Sequence, residues 1–165
     1  MTVYHGSTET VKKPTTITGG RFLDFGYGFY TTTNRPQALR QAEIKRKRTG
    51  KSDSSLNVYE IDGRIFADKS FAFLQFDNPN HEWLEFVINN RRGTDLHEYD
   101  FVQGPVANDT LYQTFILYES GVLTLEETIV RLKVHDLFDQ ISFHTGKALQ
   151  ELHFVSYSKI NPDSL

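Results

Sequence analysis

The stretch Leu23-Asp24-Phe25-Gly26-Tyr27-Gly28-Phe29-Tyr30-Thr31-Thr32 reads as a glycine turn running into a strand. Glycine opens backbone angles that other residues avoid, so Gly26 and Gly28 mark the turn. The aromatic and β-branched residues after them favour a pleated surface. Asn34-Arg35-Pro36 then signals a helix start, with Asn as cap and Pro in the first turn. Residues 37–48 continue it with good helix formers and end in the basic run Lys45-Arg46-Lys47-Arg48.

The same alternation of strand and helix signals extends outward from this block. Residues 2–5 form a short β-like start, followed at once by Gly6 and Ser7. Pro14 and Gly19-Gly20 punctuate a loop over residues 11–20. Residues 56–61 alternate apolar and polar side chains, which predicts a half-buried strand closed by an Asp62-Gly63 turn. The spacing of Trp83, Phe86, Val87 and Asn90 predicts an amphipathic helix over residues 80–91. A strand is expected over residues 99–104. Asn108-Asp109 then stands ready to cap a helix over residues 110–119, which Gly121 ends. Thr124 and Glu127 are spaced as a capping box for a helix running to about Asp136. Strands over residues 141–145 and 153–158 flank a helical turn over residues 147–152. Strands and helices at irregular spacing predict an α+β fold, read as one domain over residues 1–165.

Composition excludes several classes of function. The chain has no cysteine, so disulfides, thiolate catalysis and Cys-ligated zinc are ruled out. His135 and His144 are too isolated in sequence to predict a metal site. A net charge of −3 argues against a protein that grips nucleic acid over its whole surface. The basic run at residues 45–48 reads as a solvated helix end, where cations complement the dipole, or as a docking patch for an acidic or nucleic-acid target. MTVYHGSTET lacks the basic and apolar regions of a signal peptide, and no apolar run is long enough to span a bilayer. A soluble, cytoplasmic protein is the expectation. Asp24-Phe25-Gly26 spells a kinase tripeptide without the other kinase elements, and Gly26-x-Gly28 lacks the third glycine and helix of a dinucleotide fingerprint.

Three segments, taken in order, resemble the ADP-ribosyltransferase superfamily. Tyr4-His5-Gly6-Ser7 looks like the His-Gly element of its H-Y-E group. Gly26-Tyr27-Gly28-Phe29-Tyr30-Thr31-Thr32 is similar to its Gly-x-Gly-aromatic-Tyr element. Gln140-Ile141-Ser142-Phe143-His144-Thr145 looks like the strand that normally opens with a catalytic Glu. More narrowly, the LDFG-x-GFYTT block, the GPVAND stretch and the FHT-x-KAL segment give most of the chain a resemblance to a bacterial family known as DUF3990.

The resemblance implies two small, mainly antiparallel sheets forming an NAD cleft flanked by helices. It also implies roles for particular residues. His5 would hold a hydroxyl of the adenosine ribose, and Gly6 would let backbone groups approach the nicotinamide amide. Tyr30 would stack on the nicotinamide ring, Ser7 would bond a ribose, and Arg21 would meet a phosphate bidentately. His5, Tyr30 and Gln140 are the implied catalytic set. Gln140 departs from the family pattern: an amide can hold a ribose hydroxyl but brings no negative charge to the developing cation. Asp109 could supply that missing carboxylate, or serve only as a helix cap. Asp139, one residue before Gln140, should face the opposite side of the strand. The implied activity is mono-ADP-ribosyl transfer from NAD, as co-substrate, to a protein or nucleic-acid acceptor. By family analogy this would be the toxin of a toxin–antitoxin pair, with a small antitoxin protein as partner. NAD hydrolysis, or an inactive module binding NAD or ADP-ribose, are the alternatives that Gln140 leaves open.

Overall fold

The computed structural model of the chain describes residues 1–160 apart from 17, 20–21, 95–96, 108 and 133–138, with backbone alone for 109–112. Its strands are β1 (Thr2–Ser7), β2 (Phe29–Thr31), β3 (Ser54–Glu60), β4 (Phe73–Gln75), β5 (Phe101–Pro105), β6 (Asp139–Phe143) and β7 (His153–Ile160). Its helices are α1 (Arg35–Thr49), α2 (His81–Arg92), α3 (Asp109–Glu119), α4 (Leu125–Leu132) and α5 (Gly146–Leu149), with a 3-10 helix over Gly63–Ala67. The fold is α+β, as the sequence predicts. Among the described residues, no helix is long and apolar enough to cross a membrane.

The helix ends follow the local chemistry. The Asn34 side chain accepts from the Gln37 amide at the start of α1, and Gly50 closes that helix in the left-handed conformation. Asn80 accepts from the Trp83 amide to start α2. The capping box is reciprocal: the Thr124 amide donates to Glu127 Oε2, and the Glu127 amide donates to Thr124 Oγ1. Asp109 is the first residue of α3; the predicted cap Asn108, the predicted end of α4 and His135 lie outside the described residues.

The strands make two sheets, ordered β1-β3-β7 and β2-β6-β5-β4, antiparallel except for the β4–β5 pair. They meet at one bridge, where Tyr4 and Thr32 exchange backbone hydrogen bonds of 2.8 and 3.0 Å. Beyond that bridge β1 and β2 do not pair.

Three apolar clusters give the layers. Val3, Phe29, Tyr59, Phe101, Ile141 and Phe143 pack the inner faces of the two sheets together. Phe25, Trp83, Val87, Val102, Phe115 and Leu132 join the outer face of the second sheet to α2, α3 and α4. Ala38, Ala42, Leu56 and Ile160 join the outer face of the first sheet to α1. Helices therefore cover the outside of a two-sheet stack. Because β3 is the central strand of its sheet and is covered on both faces, nearly all of it is buried. Alternation alone predicts one solvated face for this strand, and the second layer is what removes it. The short β4 and the 3-10 helix have no sequence signal strong enough to predict them. β4 exists by pairing with β5.

Candidate functional site

β2 is the strand on which the resemblance segments converge. It bridges to β1 on one side and pairs along its length with β6 on the other. Phe29 and Tyr30 are consecutive, so their side chains leave β2 on opposite faces. Phe29 enters the core between the sheets, whereas Tyr30 packs with Phe25 on the outer face, beneath α2.

His5 occupies the seam where the sheets part. Its ring stacks on Phe29 with centroids 4.3 Å apart. Its Nδ1 lies 2.6 Å from the Tyr30 carbonyl, which can only accept, so Nδ1 carries the proton. Nε2 is then an acceptor, and Lys45 Nζ approaches it at 3.4 Å while donating to the Gly6 carbonyl at 2.7 Å. Burial and the Lys45 ammonium bring the His5 pKa down to about 3, so the imidazole is neutral. Lys45 is itself lowered to about 8, by burial first and by Arg48 second. Lys45 thus belongs to the His5 site, not to a solvated helix end.

Gly6 is fixed by packing. A Cβ there would lie 2.0 Å from the Ala38 carbonyl oxygen and 2.6 Å from the Ala42 amide nitrogen. Helix α1 therefore fills the space that the absent side chain leaves. Ser7, at the end of β1, accepts from the Glu9 amide at 3.3 Å. Asn57, on β3, pins the loop that follows: it accepts from the Val11 amide and donates to the carbonyls of His5 and Glu9.

Tyr30 closes the glycine turn upon itself. Its hydroxyl donates to the Gly26 carbonyl at 2.7 Å and accepts from the Phe25 amide at 3.1 Å. Gly26 has φ of 82°, an angle that a side chain disfavours. Burial and the nearby Asp24 carboxylate raise the phenol pKa well above its ordinary value, so Tyr30 is a neutral phenol. His144 and His97 clamp the same turn from outside: His144 Nδ1 lies 2.6 Å from the Tyr27 carbonyl, and His97 Nε2 lies 2.9 Å from that of Phe25.

Gln140, the second residue of β6, lies on the same outer face as Tyr30, since Tyr30 sits opposite Ser142 and Ser142 is two residues from Gln140. It is buried, and its Nε2 donates to Asp24 Oδ2 at 3.0 Å and to the Pro105 carbonyl at 3.4 Å. Asp24 is buried too. It also takes a charge-assisted bond of 2.8 Å from Arg91 on α2 and one of 2.9 Å from the Ala107 amide. Asp139 turns away, as alternation predicts, and accepts from Thr33 at 2.8 Å.

The carboxylate beside Gln140 is therefore Asp24, which sequence reading passes over as part of an incomplete kinase motif. Its partner Arg91 stands 67 residues away, and no sequence pattern links the two. Arg21 lies outside the described residues, and so does the side chain of Asp109. Among the described residues, no group of three or more His, Asp or Glu could hold a metal ion.

The arrangement offers two kinds of chemistry. At the seam stands a neutral imidazole with one lone pair, beside a buried ammonium. On the outer face of β2 and β6, an aromatic phenol lies near an amide whose nitrogen donates to a carboxylate and a backbone carbonyl. The family described as Protein of unknown function (DUF3990) matches residues 1–154. No curated protein and no solved structure matches the chain.

Proposed function

The chain belongs to the DUF3990 family, and from that premise we propose that it is an NAD-dependent mono-ADP-ribosyltransferase, releasing nicotinamide and passing ADP-ribose to a protein or nucleic-acid acceptor. One observation carries the reading. Three segments far apart in sequence, centred on His5, Tyr30 and Gln140, lie on the contiguous strands β1, β2 and β6, and His5 bonds directly to the Tyr30 backbone.

The two rings flank β2, so a ligand touching both crosses the edge left open beyond the Tyr4–Thr32 bridge. An extended dinucleotide, with a nucleoside on either side of a pyrophosphate, has that reach. His5 Nε2 would exchange its long contact with Lys45 for a ribose hydroxyl, a better-placed donor. The displaced ammonium would then stand beside the phosphates. Tyr30, kept neutral, would offer its ring to the nicotinamide. Gln140 would accept the hydroxyl of the nicotinamide ribose while the glycosidic bond to nicotinamide breaks. The acceptor then attacks the anomeric carbon and loses its proton.

Nicotinamide release from NAD, measured with and without a cell lysate as acceptor source, tests this. Release that requires lysate supports transfer. Release without lysate identifies a glycohydrolase instead. Binding of NAD in calorimetry with no release in either case identifies a binding module. Absence of both binding and release overturns the reading altogether.

A further inference from the structure

The side-chain amide of Gln140 faces two acceptors, a carboxylate oxygen of Asp24 at 3.0 Å and the Pro105 carbonyl at 3.4 Å. An amide nitrogen carries two hydrogens, and these two acceptors take both. The opposite flip would set Oε1 against two other acceptors, so the network admits only one orientation. Oε1 has no protein partner among the described residues and is not among their fully buried, unpartnered atoms.

The anchor is well held. Asp24 is 7 % exposed and is gripped by Arg91 and by the Ala107 amide as well as by Gln140. Arg91 comes from α2, Ala107 precedes α3 and Gln140 is on β6, so this one carboxylate ties three separate segments together. Tyr30 binds the turn immediately after Asp24 through the Phe25 amide and Gly26 carbonyl. The anchor and the aromatic wall are thus built on one hydrogen-bonded loop.

We infer that Asp24 is a positioning residue for Gln140: it holds both amide hydrogens, together with the Pro105 carbonyl, so that Oε1 alone is offered to the ligand. Position 140 then presents the same acceptor that a glutamate would present. The negative charge lies behind it, on Asp24, where Arg91 offsets it. A glutamine stands here because its neighbours are acceptors; a carboxylate at 140 would face both of them without a hydrogen to give. The inference rests on the proposed NAD site for the identity of the ligand, but not for the orientation of the amide.

Two measurements on the full chain test it separately. The first uses NMR on the wild-type protein, with the Gln140 side-chain amide signals identified by their loss in Gln140→Ala. Both protons are expected to be protected from solvent exchange, and to lose that protection by at least tenfold in Asp24→Asn. Free exchange in the wild type overturns the inference even if Asp24→Asn misfolds, and even if NAD does not bind.

The second is a double-mutant cycle on nicotinamide release at saturating NAD, well below the melting temperature. Asp24→Asn and Gln140→Ala are each expected to lower the rate by tenfold or more, with KM changed by less than about threefold. The double variant is expected to be no slower than Gln140→Ala alone, because the contribution of Asp24 to turnover passes through that side chain. Multiplicative losses would assign Asp24 a merely structural role and sink the proposal. If the wild type neither binds NAD nor releases nicotinamide, the functional reading fails, and the exchange experiment alone decides the role of Asp24.

Discussion

The His5 ring stands in for a missing rung of β-sheet: its Nδ1–H reaches the Tyr30 carbonyl at 2.6 Å across the gap where β1 and β2 stop pairing. A strand carbonyl at such a gap lacks a backbone donor, and a side chain supplies one. This bond fixes the tautomer and leaves Nε2 as the acceptor that Lys45 approaches. The same contacts require the ring to be neutral, which has a measurable consequence.

Stability should fall on acidification. His5 and His144 have folded-state pKa values lowered from 6.5 to about 3 and about 4, chiefly by burial. The unfolded chain binds protons on both below about pH 6.5, while the folded chain does not. Folding free energy is therefore lost as pH drops from about 6.5 toward about 4, with a slope of at most about 1.4 kcal/mol per pH unit per histidine. Urea unfolding across that range should show the slope, and His144→Gln should reduce it. A flat profile would mean that the rings are accessible to protons.

Tyr30 should separate into two contributions. Tyr30→Phe keeps the ring but strands the Phe25 amide and the Gly26 carbonyl, so a loss of about 1–3 kcal/mol in unfolding free energy is expected. NAD affinity should move little in that variant, because a phenyl ring stacks as well. Tyr30→Ala should in addition weaken NAD binding by about 1–3 kcal/mol in calorimetry. Equal affinity in folded Tyr30→Ala would remove Tyr30 from the site.

Gly6→Ala is expected to destabilise the fold in the absence of any ligand. The new methyl would meet helix backbone at 2.0 Å, where no rotamer change can help, so α1 must shift away from β1. Overpacking of this kind costs about 1–3 kcal/mol or more. Thermal melting of the apo protein measures it directly. An unchanged melting temperature would show that α1 is not seated on Gly6.

Gln140→Glu should carry a pH-dependent penalty. Burial and the facing Asp24 carboxylate would raise the pKa of the introduced carboxyl in the folded state above its unfolded value of about 4.3. The folded variant would keep a proton that its unfolded chain has released. Stability should therefore decline, relative to wild type, as pH rises from about 4 through that raised pKa, and level off above it. Melting curves of the two proteins from about pH 4 to about pH 8 give the comparison. Adding Asp24→Asn to Gln140→Glu should reduce the difference in slope, since the facing charge is then gone. An identical pH profile for wild type and Gln140→Glu would place the side chain at this position in water.

Much of the fold was legible from local chemistry. Asn34, Asn80 and the Thr124–Glu127 pair start helices because their side chains satisfy amides only a few residues away. Gly26 marks its turn because its φ is closed to other residues. The candidate residues His5, Tyr30 and Gln140 were legible through motif context. β4 and the second buried face of β3 were not, since both depend on neighbours distant in sequence.

The sequence by itself determined where helices begin and where the chain turns, because each of those rests on contacts within a few residues. It did not determine what the candidate residues touch. Gly6 reads as room for a ligand but is filled by α1, and the basic Lys45 reads as solvated but lies against His5. Asp24 reads as a stray motif fragment, yet it is the carboxylate that orients Gln140 from 116 positions away. Only the tertiary structure could decide this. A buried hydrogen bond between segments distant in sequence leaves no periodic trace, and the donors and acceptors are matched only once the layers have closed around them.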